Sequence, residues 1–227
     1  NSNILNWEIT LEKYSALRLR VGQWKAQYNR ERLISSGRQH TADRSIINRF
    51  FTIDRQQGVS LWGRLWEGSS ADVSYWASAF TGMGRGGRQN DDTHLMWMGR
   101  VQWNPFGRAV PFTNADLKRV DKPELSIALA GVTNRSSCTR FSQSGCGSLE
   151  GFENAQPGQY RVNQAQLESA LNWRGFSWTQ EIHWKEIVDA LEGGVTTGRG
   201  HYTQVGYFLS EAFPGVPEPL ELVARWA

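Results

Sequence analysis

The chain has no uninterrupted apolar run near the roughly 20 residues that a membrane-spanning helix needs, so a helical membrane protein is excluded. Of its 227 residues only 2 are cysteine and 4 histidine. The histidines, His40, His94, His183 and His201, lie far apart with no metal-ligand spacing, and no second cysteine pair completes a zinc site. No GxSxG elbow and no P-loop is present. The N-terminus, NSNILNWEIT, lacks a charged segment followed by an apolar one. No signal peptide is read there: either it has been removed or the chain is an interior piece. Net charge is only +3, too small to argue for nucleic acid through bulk electrostatics. Lysine is scarce as well, with 5 against 20 arginines. The planar guanidinium fork suits carboxylate and phosphate recognition.

What the sequence does have is period two along most of its length. Leu5, Trp7, Ile9 and Leu11 alternate with Asn6, Glu8, Thr10 and Glu12. Leu95, Trp97, Val101 and Trp103 share one face, while Arg100 and Gln102 take the other. Phe176, Trp178, Ile182 and Trp184 oppose Ser177, Thr179, Glu181, His183 and Lys185, and Leu220, Leu222, Ala224 and Trp226 oppose Glu221 and Arg225. The spacing predicts about ten strands, at 4–12, 16–26, 55–66, 73–83, 94–104, 124–133, 160–174, 176–188, 201–212 and 219–227. Short connections alternate with long ones, Asn104–Pro123 excepted. Alternating strands with short turns on one rim and long loops on the other are the pattern of an outer-membrane β-barrel, whose averaged composition is polar. Trp24, Trp66, Trp103, Trp173, Trp184 and Trp226 stand near strand ends. They suit either the aromatic girdles of such a barrel or the core and sugar-stacking face of a soluble sandwich. Cys138 and Cys146 bracket CTRFSQSGC, which reads as a disulfide-closed loop in an oxidising compartment.

Several motifs carry a family resemblance. LRLRVGQWKAQYNRERLISSG, DRSIINRFF, DRQQGVSLWG, VQWNPFG and DLKRVDKPELSIAL occur in that order, and the likeness extends through the final PEPLELVARW. Together they resemble the phosphate-selective porin O/P family of Gram-negative outer membranes over essentially the whole chain. The resemblance implies an all-β, transmembrane, antiparallel up-and-down barrel of about 16 strands, trimeric and anion-conducting, with arginines and lysines lining the constriction. It also implies outer-membrane lipid and lipopolysaccharide as surroundings. This chain departs from that pattern in showing about ten strands and in ending RWA without a terminal aromatic residue. Residues 1–227 are therefore expected to form one barrel domain that is incomplete at both ends.

The segment from Lys25 to Arg55 carries Lys25, Arg30, Arg32, Arg38, Arg44, Arg49 and Arg55 against Glu31, Asp43 and Asp54. A loop this long in a compact domain is usually functional. In porin-like barrels such a loop folds inward and narrows the channel. Ile46, Ile47, Phe50 and Phe51 lie at helical spacing, enough for a short helix pinned against the wall. The loop's guanidiniums would then face the water path, where rings of Arg and Lys select anions. Arg18, Arg20, Arg100, Lys185 and Arg225 on strands would extend the track, since an arginine facing lipid at the midplane costs about 2–4 kcal/mol. Gln23 and Trp24 break the alternation of β-strand two, which suggests a bulge or the membrane interface.

The competing reading pairs these arginines with Glu31, Asp43 and Asp54, or with lipopolysaccharide phosphates. Glu181, His183 and Lys185 share a strand face as a catalytic set would, but a polar barrel face shows the same pattern. GRGGRQNDD reads as a glycine-rich surface loop. The expected function is passive diffusion of small anions, phosphate or another oxyanion, through an outer-membrane homotrimer, without enzyme activity, metal, cofactor or nucleic acid. A general unselective porin and a soluble tryptophan-rich carbohydrate-binding β-sandwich are the alternatives.

Overall fold

A computed structural model describes residues 4–86 and 90–227, so the middle of the GRGGRQNDD loop lies outside the described residues. The protein is all-β. Ten strands form one antiparallel up-and-down sheet in sequence order: β1 (Trp7–Tyr14), β2 (Leu17–Lys25), β3 (Arg55–Leu65), β4 (Val73–Phe80), β5 (Met96–Trp103), β6 (Glu124–Ser136), β7 (Tyr160–Trp173), β8 (Phe176–Asp189), β9 (Val195–Phe208) and β10 (Glu221–Trp226). Every strand pairs with its sequence neighbours, and among the described residues β1 and β10 have no second partner and form the sheet's edges. Among the described residues there is one sheet and no second sheet facing it, as a sandwich would need. Two single helical turns, α1 (Arg30–Leu33) and α2 (Asn48–Phe51), lie within the β2–β3 connection.

The register sorts side chains onto two unlike faces. One row runs Val101, Leu129, Leu167, Ile182 across β5 to β8, and another runs Leu61, Ala77, Gly99, Gly131, Ala165, Trp184 across β3 to β8. These residues point away from the connections and remain open to the surroundings, Leu129 by 60% and Ile9 of β1 by 71%. The opposite face carries the row Gln102, Ala128, Glu168, Glu181, Tyr202, and all five are buried. Apolar outside and polar inside inverts the ordinary soluble arrangement.

The hydrophobic core lies on the inner face near the rim that bears the long connections. Trp24, Tyr28, Ile53, Phe80, Met96, Phe141, Tyr160 and Val162 meet there, contributed by strand ends and by the 26–54 and 137–159 segments. Trp24 packs on Phe80 with ring centroids 5.3 Å apart. A disulfide joins Cys138 to Cys146 with Cα atoms 5.4 Å apart. The loop it closes places Phe141 in that core, and Phe141 accepts a hydrogen bond from the Asp54 amide at 2.8 Å.

Three local expectations need correction. The strand expected at 201–212 begins at Val195, because Gly193 and Gly194, both at positive φ, close a tight hairpin from β8. No bulge occurs at Gln23 and Trp24: the β2–β3 ladder continues to Lys25 opposite Arg55, and the irregularity lies in β1–β2 between Leu11 and Tyr14. Gln23 is nevertheless buried beside buried Trp24, because its amide donates to the carbonyls of Ile4 and Leu5. For the same reason of inward packing Trp24, 2% exposed, is no girdle residue, whereas Trp66, Trp103, Trp173 and Trp226 are all exposed. The short helix expected within TADRSIINRFF is present as the single turn α2, with Ile47 and Phe51 packed against Tyr202 of β9.

Candidate functional site

A pair of carboxylates organises the inner face. Glu168 of β7 and Glu181 of β8 are cross-strand partners, both buried. Successive backbone amides of the β2–β3 connection reach them: Arg30 donates to Glu168 at 2.9 Å and Glu31 to Glu181 at 2.6 Å. These amides open α1, whose N-cap residue Asn29 makes no side-chain capping bond. Carboxylates on the sheet therefore satisfy donors that a helix start leaves free. Asn29 bridges instead, donating from Nδ2 to Glu181 at 3.0 Å and accepting from Thr52 Oγ1 at 2.6 Å.

Glu168 also gathers two guanidiniums. Arg100 of β5 donates to it through both terminal nitrogens, at 2.8 and 2.6 Å, and further to the Tyr28 carbonyl and the Gln102 side chain. Arg30 Nε lies 3.3 Å from the same carboxylate, and its remaining N–H groups donate to the carbonyls of Pro111 and Val110. Arg30, Arg100 and Glu168 are essentially without solvent exposure. Removing charge from water costs several kcal/mol per ion, and these hydrogen bonds offset it, with only the Arg100 Nε of the triad left without a partner. Next to it Glu31 accepts from the Ser45 amide and hydroxyl at 2.6 and 2.7 Å, and from Asn48 at 3.3 Å. Burial, and then the nearby Glu181 charge, push the Glu31 carboxyl above the usual glutamate range.

The twelve cations expected to line the path separate into distinct settings. Lys25, Arg32, Arg44 and Arg55 come together where the connection leaves β2 and returns to β3, each acting electrostatically on others of the group. Buried Asp54 is met by Arg32 at 2.6 Å and Arg55 at 3.4 Å and attracts Lys25 and Arg44 at longer range, while Glu31 also attracts Arg44. Arg44 is held by the carbonyls of Glu31 and Ile34, and Lys25 by that of Arg32. All four remain partly exposed. Arg18 and Arg20 lie on the inner face of β2, Arg18 stacked 4.4 Å over Trp62 and Arg20 beside Trp24 and Trp62 with Glu8 at 3.3 Å. Arg38 and Arg49 are exposed. Arg225 of β10 donates to Thr41 Oγ1 and the Asp43 carbonyl and lies 3.8 Å from Glu31. Arg30 and Arg100 are sealed within the triad and do not face open water. Lys185 is turned to the carbonyls of Phe50 and Thr139.

Glu168 and Asn29 escaped the sequence reading. The available signal was Glu168 on the same strand face as Gln164 and Gln166, an inward acid that needs a cation. Glu181, His183 and Lys185 do share a face, yet only Glu181 and His183 bond each other, at 3.0 Å. Among the described residues no group of three or more His, Cys, Asp or Glu is placed to hold a metal ion. No family model, curated protein or solved structure matches the chain.

Two outcomes follow from this arrangement. Glu168→Leu strands two buried guanidiniums and should lower stability by about 3–5 kcal/mol, read from the denaturant midpoint of the folded chain. The triple replacement Arg30→Met, Glu168→Leu, Arg100→Met should recover most of that loss, and an unshifted midpoint in Glu168→Leu would remove the triad's role. For Glu31 the folded pKa lies above the unfolded value of about 4.3. Its stabilisation is complete below that value and fades as pH rises through the raised folded value. The thermal midpoint should fall over that rise, and Glu31→Gln should flatten the fall; equal slopes in both proteins would contradict the assignment.

Proposed function

We propose that the chain belongs to an outer-membrane porin resembling the phosphate-selective O/P family, and that it conducts anions passively. The observation that carries this reading is the inverted sheet. Within ten consecutive antiparallel strands, apolar side chains face outward along rows that include Val101, Leu129 and Trp184 and reach from β3 to β8, ending at His201 and Arg199 of β9. Their polar rows face inward onto a long connection. Lipid is the solvent in which that pattern is favourable. A single sheet with free edges leaves backbone groups unpaired in hydrocarbon, so the reading takes these strands as part of a closed, trimeric barrel. The ordered motifs described above are its family-level support.

Anion preference rests on the Lys25, Arg32, Arg44, Arg55 cluster, in which four cations outnumber the two carboxylates acting on them, Asp54 and, at Arg44, Glu31. A unit charge about 8 Å from an ion contributes about 0.5 kcal/mol even in a water-like dielectric, with opposite sign for anion and cation. Several such charges bias the path without forming a deep trap, which suits conduction. Arg18 and Arg20 continue positive charge along the inner face of β2. Phosphate, or another oxyanion, is the solute that guanidinium forks hydrogen-bond best.

The test is the zero-current potential of the full chain reconstituted in a planar bilayer under a KCl gradient. Anion selectivity is expected, with chloride current reduced by added phosphate. Replacing Lys25→Gln together with Arg44→Gln should lower the chloride-to-potassium permeability ratio several-fold. A cation-selective pore, or a ratio unmoved by the double replacement, would contradict the proposal.

A further inference from the structure

A cavity lies apart from the cationic cluster, between α2 and the β8–β9 hairpin. Its volume is about 340 Å³, at the small end of ligand pockets. Ile46, Phe50, Phe51, Leu149, Phe152 and Ile187 form apolar walls. The wall on β9 is kept low by Gly198, where an added Cβ would meet only the Phe51 ring, at 3.7 Å. Lys185 lines the same cavity and is buried.

The state of Lys185 sets the chemistry. Its ammonium has three N–H donors, and two go to the carbonyls of Phe50 at 2.9 Å and Thr139 at 2.5 Å. Among the described residues, the charged side chain acting on it is a second cation, Arg140. Lys185 Nζ also lies 5.8 Å from the Phe141 ring centroid, and burying an ammonium among neutral carbonyls, one ring face and another cation is unfavourable without an anionic partner. The neighbouring Gln164, opposite Lys185 in the β7–β8 ladder, is buried with neither its Nε2 nor its Oε1 hydrogen-bonded. Exposed Arg199 stands at the rim.

We infer that this cavity binds a small amphipathic monocarboxylate, a single ring or short chain seated among the phenylalanines with its carboxylate on the third N–H of Lys185. The volume excludes a lipid with two acyl chains. The assignment is independent of conduction and is tested by binding. The probe is 4-phenylbutyrate, with 4-phenylbutan-1-ol as the neutral counterpart, titrated calorimetrically into the full folded chain. Saturable binding of the carboxylate is expected, tighter than the alcohol. Lys185→Met should weaken the carboxylate about tenfold, the worth of one charge-assisted hydrogen bond, and leave the alcohol unchanged. Gly198→Leu fills the cavity without a backbone clash and should abolish both; where Lys185→Met fails to fold, this variant decides. Absence of saturable binding, equal affinity for acid and alcohol, or binding that survives Gly198→Leu would each overturn the inference.

Discussion

The Glu168 carboxylate, shared by one guanidinium from the sheet and one from the connection that crosses it, is the interaction on which the interior depends. Arg100 fixes its orientation from β5, and Arg30 with its own backbone amide ties the 26–54 segment to it. The neighbouring Glu181 repeats the contact one residue along, with the Glu31 amide. A four-residue helix has little stability of its own; here its first amides are held by carboxylates supplied from two strands. The same guanidinium of Arg30 reaches the carbonyls of Val110 and Pro111, so a connection from the opposite rim is drawn onto the same anchor.

With that anchor formed, the charges of the connection acquire separate duties. Arg30 serves structure, compensated and dry. Lys25, Arg32, Arg44 and Arg55 outnumber the carboxylates that act on them, Asp54 and Glu31, so positive potential accumulates beside the stems of the connection while remaining partly wetted. The disulfide-closed loop supports this from above through the Phe141 carbonyl and Asp54 amide, and Asp54 in turn holds Arg32 and Arg55. Potential and packing thus meet at one residue.

Strand number and facing were legible in the sequence, because a half-buried strand must alternate whatever medium lies on its apolar side. Arg100 and Gln102 opposite Trp97 and Trp103 could be assigned to the other face from spacing alone. The start of β9 was obscured by threonine and glycine, whose side chains give no period-two signal. The fate of individual arginines was not legible, since pairing depends on which strand the folded connection meets. Arg32 and Arg55 find Asp54, an acid weighed as a partner from the sequence, whereas Arg30 and Arg100 find Glu168, more than sixty positions away from either. The apolar cavity over Lys185 likewise needs residues from three separate segments.

The central claim is that the outward apolar rows face lipid. It is tested most directly by single spin labels at Leu129, Leu167 and Ile182, one register row, and at Leu191 in the β8–β9 turn, in chain reconstituted into vesicles. Collision rates with dissolved oxygen and with a water-soluble nickel chelate are then compared. The account predicts high oxygen and low nickel access along the row and the reverse at Leu191. Equal nickel access at all four positions would contradict it.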